Sequence, residues 1–193
     1  MATSTIEKIW TSEDLEQFPD DGVERWIDRG RLVEFPSGED MSLCSPIHGS
    51  VVIATGTVLR VWSRSRPAPR PCVYGGDIFC KFRNEPDTNA GIDIVVVAPE
   101  QAAEITADSR FIEGPPLLAI EIVSASDTMK KISSKTKLYL EHGTPLVWLV
   151  DPFDRSVTVY RPGTPPVLFN SGHELTAEPE LPGFRCRVSE LFE

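Results

Sequence analysis

Two acidic residues interrupt segments of the chain that are otherwise apolar. Asp93 lies in residues 92–97, and Glu121 lies in residues 117–123. Burying an unpaired carboxylate costs on the order of a few kcal/mol unless a cation or hydrogen-bond donors compensate for the lost hydration. A divalent cation between two such carboxylates would also remove their mutual repulsion, because hard cations prefer oxygen ligands. The pair therefore predicts a metal site. The alternative is that both side chains point into solvent at strand ends.

A lysine on the next predicted helix is the third candidate. If Ile132 is the centre of the buried face, the side chains that share that face are Met129, Thr136, Tyr139 and Leu140. Lys135 falls at the edge of this face, whereas Lys130 and Lys137 point toward water. A lysine at this edge is costly unless its ammonium reaches a carboxylate, a phosphate or a water molecule. The alternative is a surface lysine whose aliphatic stem packs on apolar neighbours.

Other residues suggest contacts to phosphate. His48 shares a helical stripe with Val52, Thr55 and Leu59, and is interpreted either as a donor to phosphate or as a histidine satisfied at a helix start. Arginines cluster near the end of that helix, among them Arg64 and Arg66. With Lys130 and Lys131 they could contact a phosphate backbone, although a solvated loop explains the arginines alone. Asp77 follows two glycines and is interpreted as a turn aspartate or as a residue near the site.

Length and composition restrict the class of protein. The chain has 193 residues, of which 40% are hydrophobic and 25% charged, as in one ordinary globular domain. Its net charge of −10 argues against strong nonspecific binding of nucleic acid over the whole surface. The sequence shows neither an apolar run long enough to cross a membrane nor a signal-peptide pattern, so a cytoplasmic location is expected. The four cysteines are scattered, which disfavours disulfides and zinc.

The elements that must position these residues follow from the hydrophobic pattern. Capping and proline signals predict a short helix near residues 11–18 and a long helix over residues 45–62, while Ser126 and Asp127 begin a third helix that Gly143 ends. Alternation or β-branched runs predict strands over residues 24–35 (a hairpin around Gly30), 73–82, 92–97, 117–123, 146–150, 156–160 and 167–169.

This order of elements predicts an α/β (α+β) fold with a central mixed β-sheet flanked by helices. We expect one domain in which residues 1–40 form an N-terminal helix and hairpin. Residues 41–160 would form the core, and residues 161–193 a C-terminal extension.

The same segments resemble the PD-(D/E)XK nuclease superfamily, and specifically the Uma2 family, whose members are described as restriction endonucleases. The matching positions are residues 30–34, 45–48, 90–97 and 121–127, then Lys135, Tyr139 and Gly143, and finally residues 147–152, 181–184 and 191–192. The resemblance covers most of the chain, and the order and spacing of the motifs make it specific.

Three positions depart from the family pattern, and a fourth aligns with it only loosely. Ile92 and Ala125 stand where prolines are usual. Val123 stands where a lysine is expected two residues after the glutamate, which transfers that role to Lys135 on the following helix. The upstream acidic position falls on Glu24, where the alignment is loose.

The resemblance implies a metal-dependent endonuclease acting on DNA with a restriction-endonuclease-like core. Asp93 and Glu121 would bind Mg²⁺ or Mn²⁺ with the Ile122 carbonyl, Glu24 would add a ligand, and Lys135 would orient the attacking water. A homodimer is plausible, since single-site nucleases often pair to cut both strands. The alternatives are a catalytically silent domain that binds nucleic acid or a protein, and a hydrolase acting on another phosphodiester such as RNA.

Overall fold

The computed structural model describes residues 8–19, 21–35 and 45–193. Its α-helices are α1 (Ser12–Leu15), α2 (Pro46–Arg64), α3 (Pro99–Glu104) and α4 (Met129–Glu141), followed by a 3₁₀ helix, Val188–Phe192. Its strands are β1 (Glu24–Asp28), β2 (Arg31–Phe35), β3 (Cys72–Asn84), β4 (Asp87–Val97), β5 (Ile112–Glu113), β6 (Leu118–Ile122), β7 (Val147–Asp151), β8 (Ser156–Tyr160), β9 (Val167–Asn170), β10 (Glu174–Thr176) and β11 (Arg185–Arg187).

The N-terminal elements follow their local signals closely. Thr11 caps α1, with its side chain accepting from the Asp14 N–H and the Asp14 carboxylate accepting from the Thr11 N–H. The hairpin β1–β2 turns at Arg29 and Gly30, whose φ angles of 51° and 75° match the type of turn that suits the twist of paired strands. The predicted hairpin is therefore confirmed at its predicted bounds.

Helix α2 begins as predicted, because Ser45 accepts a hydrogen bond from the His48 N–H and Pro46 fills the first turn. Helical spacing of Ile47, Val51, Ala54, Val58 and Val61 predicts one buried face, of which only Val51 and Ala54 are buried. Ile47 and Val61 are 58% and 66% exposed, whereas Thr55 and Leu59, from the stripe that contains His48, are fully buried. The face that meets the sheet is therefore rotated, which turns His48 toward the protein interior.

Helix α4 begins later than predicted. Asp127 accepts a hydrogen bond from the Ser124 N–H in a turn before the helix, and Thr128 is the residue that caps it. Ser126 and Asp127 resemble a cap in sequence because the same residue types form such turns. Gly143, with a φ angle of 99°, follows the helix as expected.

The described residues form one mixed sheet of nine strands in the order β2-β1-β4-β6-β7-β8-β9, with β3 pairing with β4 and β5. Strands β6 and β7 run parallel and are joined through α4, while β4 and β6 are antiparallel. The predicted mixed sheet with flanking helices is confirmed. The second small sheet, β10–β11, and the short elements α3 and β5 were not predicted, because their lengths leave too few residues for a period to show.

Two clusters of buried apolar side chains cover the sheet. Leu118 and Ile120 of β6 pack in the cluster that contains buried residues of α2, whereas Ala119 packs in the cluster that contains Tyr139 of α4. Successive strand residues face opposite sides, so Glu121 shares the α4 side with Ala119. This alternation decides which helix can reach the carboxylate.

The C-terminal segment is part of this core. Strand β9 extends the main sheet, and Leu175, Leu181 and Phe184 are almost fully buried in the α2 cluster. The boundary expected near residue 40 and Cys44 lie outside the described residues. Of the described cysteines, each is a free thiol. No described helix is long and apolar enough to cross a membrane.

Candidate active site

Asp93 and Glu121 lie on neighbouring strands. Strands β4 and β6 are antiparallel with Ile94 opposite Ile120, and the next step of this register places Asp93 opposite Glu121. Opposed residues of an antiparallel pair project from the same face. Both carboxylates therefore lie on the α4 side of the sheet, where the exposed fractions of their side chains are 13% and 15%. The alternative of outward-pointing strand-end residues does not describe them.

The Asp93 carboxylate is held by a backbone group and by the start of α2. Its Oδ2 atom accepts a hydrogen bond of 2.7 Å from the Ile122 N–H and lies 3.3 Å from Nε2 of His48. His48 lies in the first turn of α2, where the Ser45 cap fixes the helix start. The structure thus places His48 at a helix start and, at the same time, beside Asp93 of the predicted site.

The Glu121 carboxylate is enclosed by α4. Its Oε2 atom lies 2.8 Å from Nζ of Lys135, and its Oε1 atom lies 2.5 Å from the hydroxyl of Tyr139. The pKa of Glu121 is raised to about 7, chiefly by burial and also by the charge of Asp93, while Lys135 and Tyr139 act to lower it. A further cation beside this carboxylate would favour its charged form.

Lys135 is the buried residue that the helical pattern placed only at the edge of α4. It is 6% exposed, whereas Met129, expected on the buried face, is 75% exposed. Burial alone would lower the pKa of Lys135, but the carboxylates of Glu121 and Glu24 outweigh it and raise the pKa. The face of α4 that meets the sheet includes the Lys135 ammonium because the Glu121 and Glu24 carboxylates neutralise it there. A search for apolar residues at helical spacing does not detect such a position.

Glu24 approaches from β1 and contacts two lysines. Its Oε1 atom lies 3.0 Å from Nζ of Lys135, and its Oε2 atom contacts Nζ of Lys131. Lys131 also lies 2.6 Å from Oδ1 of Asp127. Lys131, predicted as a contact to nucleic acid, is therefore engaged within the protein, and Glu24, predicted as a metal ligand, presents both oxygens to ammonium groups.

Asp77 also belongs to the edge of this site. The register of β3 with β4 shifts between Gly75 and Ile78, so that two residues of β3 oppose Asp93 alone. The second of these residues is Asp77, whose φ angle is 52°. Burial raises the pKa of Asp77, and the charge of Asp93 raises it further. A β-bulge redirects a side chain in this way, and the two preceding glycines were its only signal in the sequence.

Comparison with known families identifies the group to which the chain belongs. The Uma2 family, described as "Putative restriction endonuclease", matches residues 13–189 of the 193. The chain belongs to the Uma2 family. Among solved structures, it resembles a crystal structure of "a putative nuclease belonging to DUF820" from Anabaena variabilis, with a TM-score of 0.72 and 18% sequence identity. The match covers 93% of this chain and 96% of the other, and establishes the shared fold. Comparison with curated proteins found no match.

Other residues predicted to contact nucleic acid lie away from the carboxylates of this Uma2 protein. Arg64 ends α2 and Arg66 follows it, at the opposite end of the helix from His48. At the rise of an α-helix, Arg64 lies about 24 Å along the axis from His48. Arg66 Nη1 lies 3.4 Å from the Pro182 carbonyl oxygen. Lys130 is exposed on α4. The structure thus joins His48 to the site and does not bring these basic residues to it.

The oxygen donors of this site suit a hard cation that keeps some water ligands, rather than one enclosed entirely by protein side chains. Within the described residues of this Uma2 protein, no group of three or more His, Cys, Asp or Glu side chains is arranged to hold a metal ion. Mg²⁺ needs no such group, because it commonly binds through one or two carboxylates and retains water or substrate phosphate as further ligands. Asp93 and Glu121 supply two such carboxylates, opposite one another on adjacent strands.

Proposed function

We propose that this protein is a metal-dependent endonuclease that hydrolyses phosphodiester bonds of DNA. The observation that carries the proposal is the meeting of Asp93 and Glu121 on one face of adjacent strands, with the buried Lys135 ammonium bonded to Glu121. Membership of the Uma2 family supports nucleic acid as the substrate class. The combination of two carboxylates with one ammonium suits phosphoryl chemistry, in which negative charge increases at the reacting phosphate.

Asp93 and Glu121 are the residues that would hold Mg²⁺ or Mn²⁺. The Ile122 carbonyl is a further candidate ligand, since its own N–H already bonds to Asp93 and fixes this end of β6. Glu24 is a weaker candidate, because both its oxygens contact lysines. A divalent cation bound between such carboxylates supplies polarisation of the phosphate and a lowered pKa of a coordinated water.

The chain's own groups then orient the reactants. Lys135, fixed against Glu121, offers a positive charge and an N–H donor to the attacking water or to a phosphate oxygen. Tyr139 directs its hydroxyl proton to the nearer carboxylate oxygen of Glu121 and limits the rotation of that side chain. His48 and the Ile122 N–H hold Asp93 in the same way. These contacts keep both carboxylates in place before substrate arrives.

Contacts to the DNA backbone are proposed for basic residues both beside the carboxylates and away from them. Lys130 and the arginines Arg64 and Arg66 lie on α4 and at the end of α2, and His48 lies beside Asp93. A duplex is long enough to reach both ends of α2, which is about 28 Å long. Such contacts would position the backbone without reading sequence.

The proposed activity is tested by incubating purified protein with plasmid, single-stranded DNA and RNA, with Mg²⁺, Mn²⁺ or EDTA. We expect cleavage of DNA that EDTA abolishes. Asp93→Asn should lower the rate by about 10²-fold or more, because a neutral amide is a poor ligand for a hard cation. Asp108→Asn, on an exposed residue, is the matched control and should cut like the parent.

Three outcomes contradict the proposal. Cleavage that survives Asp93→Asn would come from a contaminant. Preferential cleavage of RNA would change the substrate. Binding of DNA without cleavage under every metal condition would favour the catalytically silent alternative, in which Lys135 serves only to neutralise the carboxylates.

A further inference from the structure

The contacts of Glu24 lead to a role that differs from metal ligation. We propose that Glu24 is a positioning residue that holds the Lys135 ammonium, and that the Asp127–Lys131 pair holds Glu24 in turn. This inference rests on the proposed function, because it explains how the lysine of that site is aimed. It assigns Lys131 to the inside of the site rather than to the DNA backbone.

Both carboxylate oxygens of Glu24 are committed to lysines. Oε1 lies 3.0 Å from Nζ of Lys135, and Oε2 contacts Nζ of Lys131. The two lysines are one helical turn apart on α4, so that one carboxylate spans them. Bringing a cation to Glu24 would require breaking one of these contacts and would leave Lys131 or Lys135 with one carboxylate, Asp127 or Glu121, in place of two.

Lys131 is fixed from the other side by the turn that precedes α4. Its Nζ atom lies 2.6 Å from Oδ1 of Asp127, while Oδ2 of Asp127 accepts hydrogen bonds from the Ser124 N–H at 2.8 Å and the Ser124 hydroxyl at 2.9 Å. The Lys131 side chain is only 19% exposed, whereas that of Lys137 on the same helix is 72% exposed. Lys131 therefore lies within the chain of contacts that reaches Glu24, whereas Lys137 is paired with Glu141 of its own helix.

This chain of contacts determines where Lys135 can act. A lysine ammonium has three N–H donors; one of them is directed at Glu121, and the Glu24 carboxylate lies 3.0 Å from the same nitrogen as a second charge partner. Contact with two carboxylates restricts where the ammonium can lie, and therefore which donor is left for a water molecule or a phosphate oxygen. Without Glu24, the bond to Glu121 alone holds the ammonium, and the remaining donors lose their aim.

The first test detects the lysine ammonium groups directly in metal-free protein. Ammonium protons held in ion pairs exchange slowly with water, so lysine ¹H–¹⁵N correlation spectra should show Lys131 and Lys135. Glu24→Gln should shift or broaden both signals, and Lys137→Met should leave both unchanged. Unchanged signals in a folded Glu24→Gln variant would overturn the proposal. Should Glu24→Gln fail to fold, Asp127→Asn tests the same chain of contacts at Lys131.

The second test separates positioning from contact with phosphate. For Lys131→Met we expect kcat to fall by about 10²-fold, as for a misplaced catalytic group, with KM for DNA nearly unchanged. The slope of log Kd against log salt, measured in Ca²⁺, should equal that of the parent. Lys130→Met, on an exposed neighbour, should instead reduce that slope by about 1, as loss of a phosphate contact does.

A reduced salt slope with unchanged kcat for Lys131→Met would make Lys131 a phosphate contact and overturn the proposal. Lys131→Arg, which keeps a cation between Glu24 and Asp127, should recover much of the lost kcat. If the parent protein binds DNA and never cuts it, the proposed function fails, whereas the spectra and salt slopes still decide whether Glu24 holds Lys135.

Discussion

At the scale of single residues, the site is a balance of charges close to the sheet. Glu121 accepts from Lys135 and Tyr139, and its pKa is nevertheless raised to about 7 by burial, with Asp93 adding to the effect. Such a carboxylate is stabilised by further positive charge. Removal of Lys135 or Tyr139 should therefore have measurable effects on Glu121.

Lys135→Met should destabilise the protein and increase its response to metal. Breaking a buried ion pair costs about 3–5 kcal/mol, because the remaining carboxylate is left without its countercharge. Urea unfolding at neutral pH, with and without Mg²⁺, measures this loss. We expect Mg²⁺ to stabilise the variant more than the parent, since a ligand that binds only the folded state shifts its stability. An equal response in both proteins would argue against a cation at Glu121.

Tyr139→Phe should weaken the hold on Glu121 without changing the shape of the core. Tyr139 is fully buried, and its hydroxyl lies 2.5 Å from Oε1 of Glu121. Leaving that oxygen without a donor should lower the free energy of unfolding by about 1–3 kcal/mol. It should also lower kcat by about 10-fold or more, as loss of a partner behind a ligand does.

Tyr160→Phe is the matched control for this substitution. Tyr160 is half-buried, and its hydroxyl is seen in no hydrogen bond among the described residues. Tyr160→Phe should change neither the free energy of unfolding nor kcat appreciably. Equal effects of the two substitutions would show that loss of a hydroxyl, rather than of its contact with Glu121, is responsible.

At the scale of elements, a buried polar network attaches α1 to the sheet. Oδ2 of Asp87, at the start of β4, accepts from the N–H and the hydroxyl of Ser12, each at 2.7 Å. Asn89 donates to the Ser12 hydroxyl and accepts from the Ile27 N–H of β1. Asp87 therefore ties the first helix to β4, and Asn89 links both to the hairpin that carries Glu24.

This network should make stability depend on acid pH. Burial acts to raise the pKa of Asp87, but the Ser12 donors and Lys81 outweigh it and hold the pKa below its usual value. The stabilisation is therefore complete above the unfolded-state pKa and is lost as pH falls through the lower folded-state value. Urea unfolding between pH 7 and pH 3 should show this loss.

Asp87→Asn should reduce stability at pH 7 by about 1–3 kcal/mol and flatten the acid dependence. Asp108→Asn, at an exposed position, should retain the parent's profile. A variant at position 87 with the full acid dependence of the parent would contradict the role of this carboxylate.

At the scale of the whole molecule, the C-terminal segment completes the core. Phe184 is 1% exposed, and its ring centroid lies 5.5 Å from that of Trp148 on β7 and 6.0 Å from that of Trp62 on α2. It therefore packs between the central sheet and the helix that carries His48. The expected extension of residues 161–193 contributes to the same hydrophobic core as the central strands.

Phe184→Ala should lower the free energy of unfolding by about 3–5 kcal/mol, because it leaves a cavity between the helix and the sheet. Phe153→Ala is the control, since Phe153 is 61% exposed. Urea unfolding at pH 7 measures both. Equal, small effects would mean that the segment after residue 160 is an independent appendage. The expected homodimer stays a prediction, which sedimentation of the intact chain can test.

Local and periodic features of the sequence determined most of the fold. The β1–β2 hairpin, the start of α2 at Ser45 and the runs that contain Asp93 and Glu121 depend on turn chemistry, capping and β-branched composition. These preferences act within a few residues and need no partner. The two carboxylates in apolar strands were also evident from the sequence, because the free-energy cost of desolvating a carboxylate in a buried strand does not depend on which elements surround it.

Only the tertiary structure decided which partners these residues have. Helical periodicity placed Lys135 at an edge, the family resemblance placed Glu24 among the metal ligands, and its basic charge placed Lys131 among the contacts to DNA. The packing of α4 against β6 and β1 instead directs both lysines at Glu24. An ion pair depends on two side chains that are distant in sequence, so neither helix nor strand signals reveal it. The face of α4 that contains Lys135 can be buried because carboxylates on other elements compensate its charge. Those contacts form only when the elements pack together.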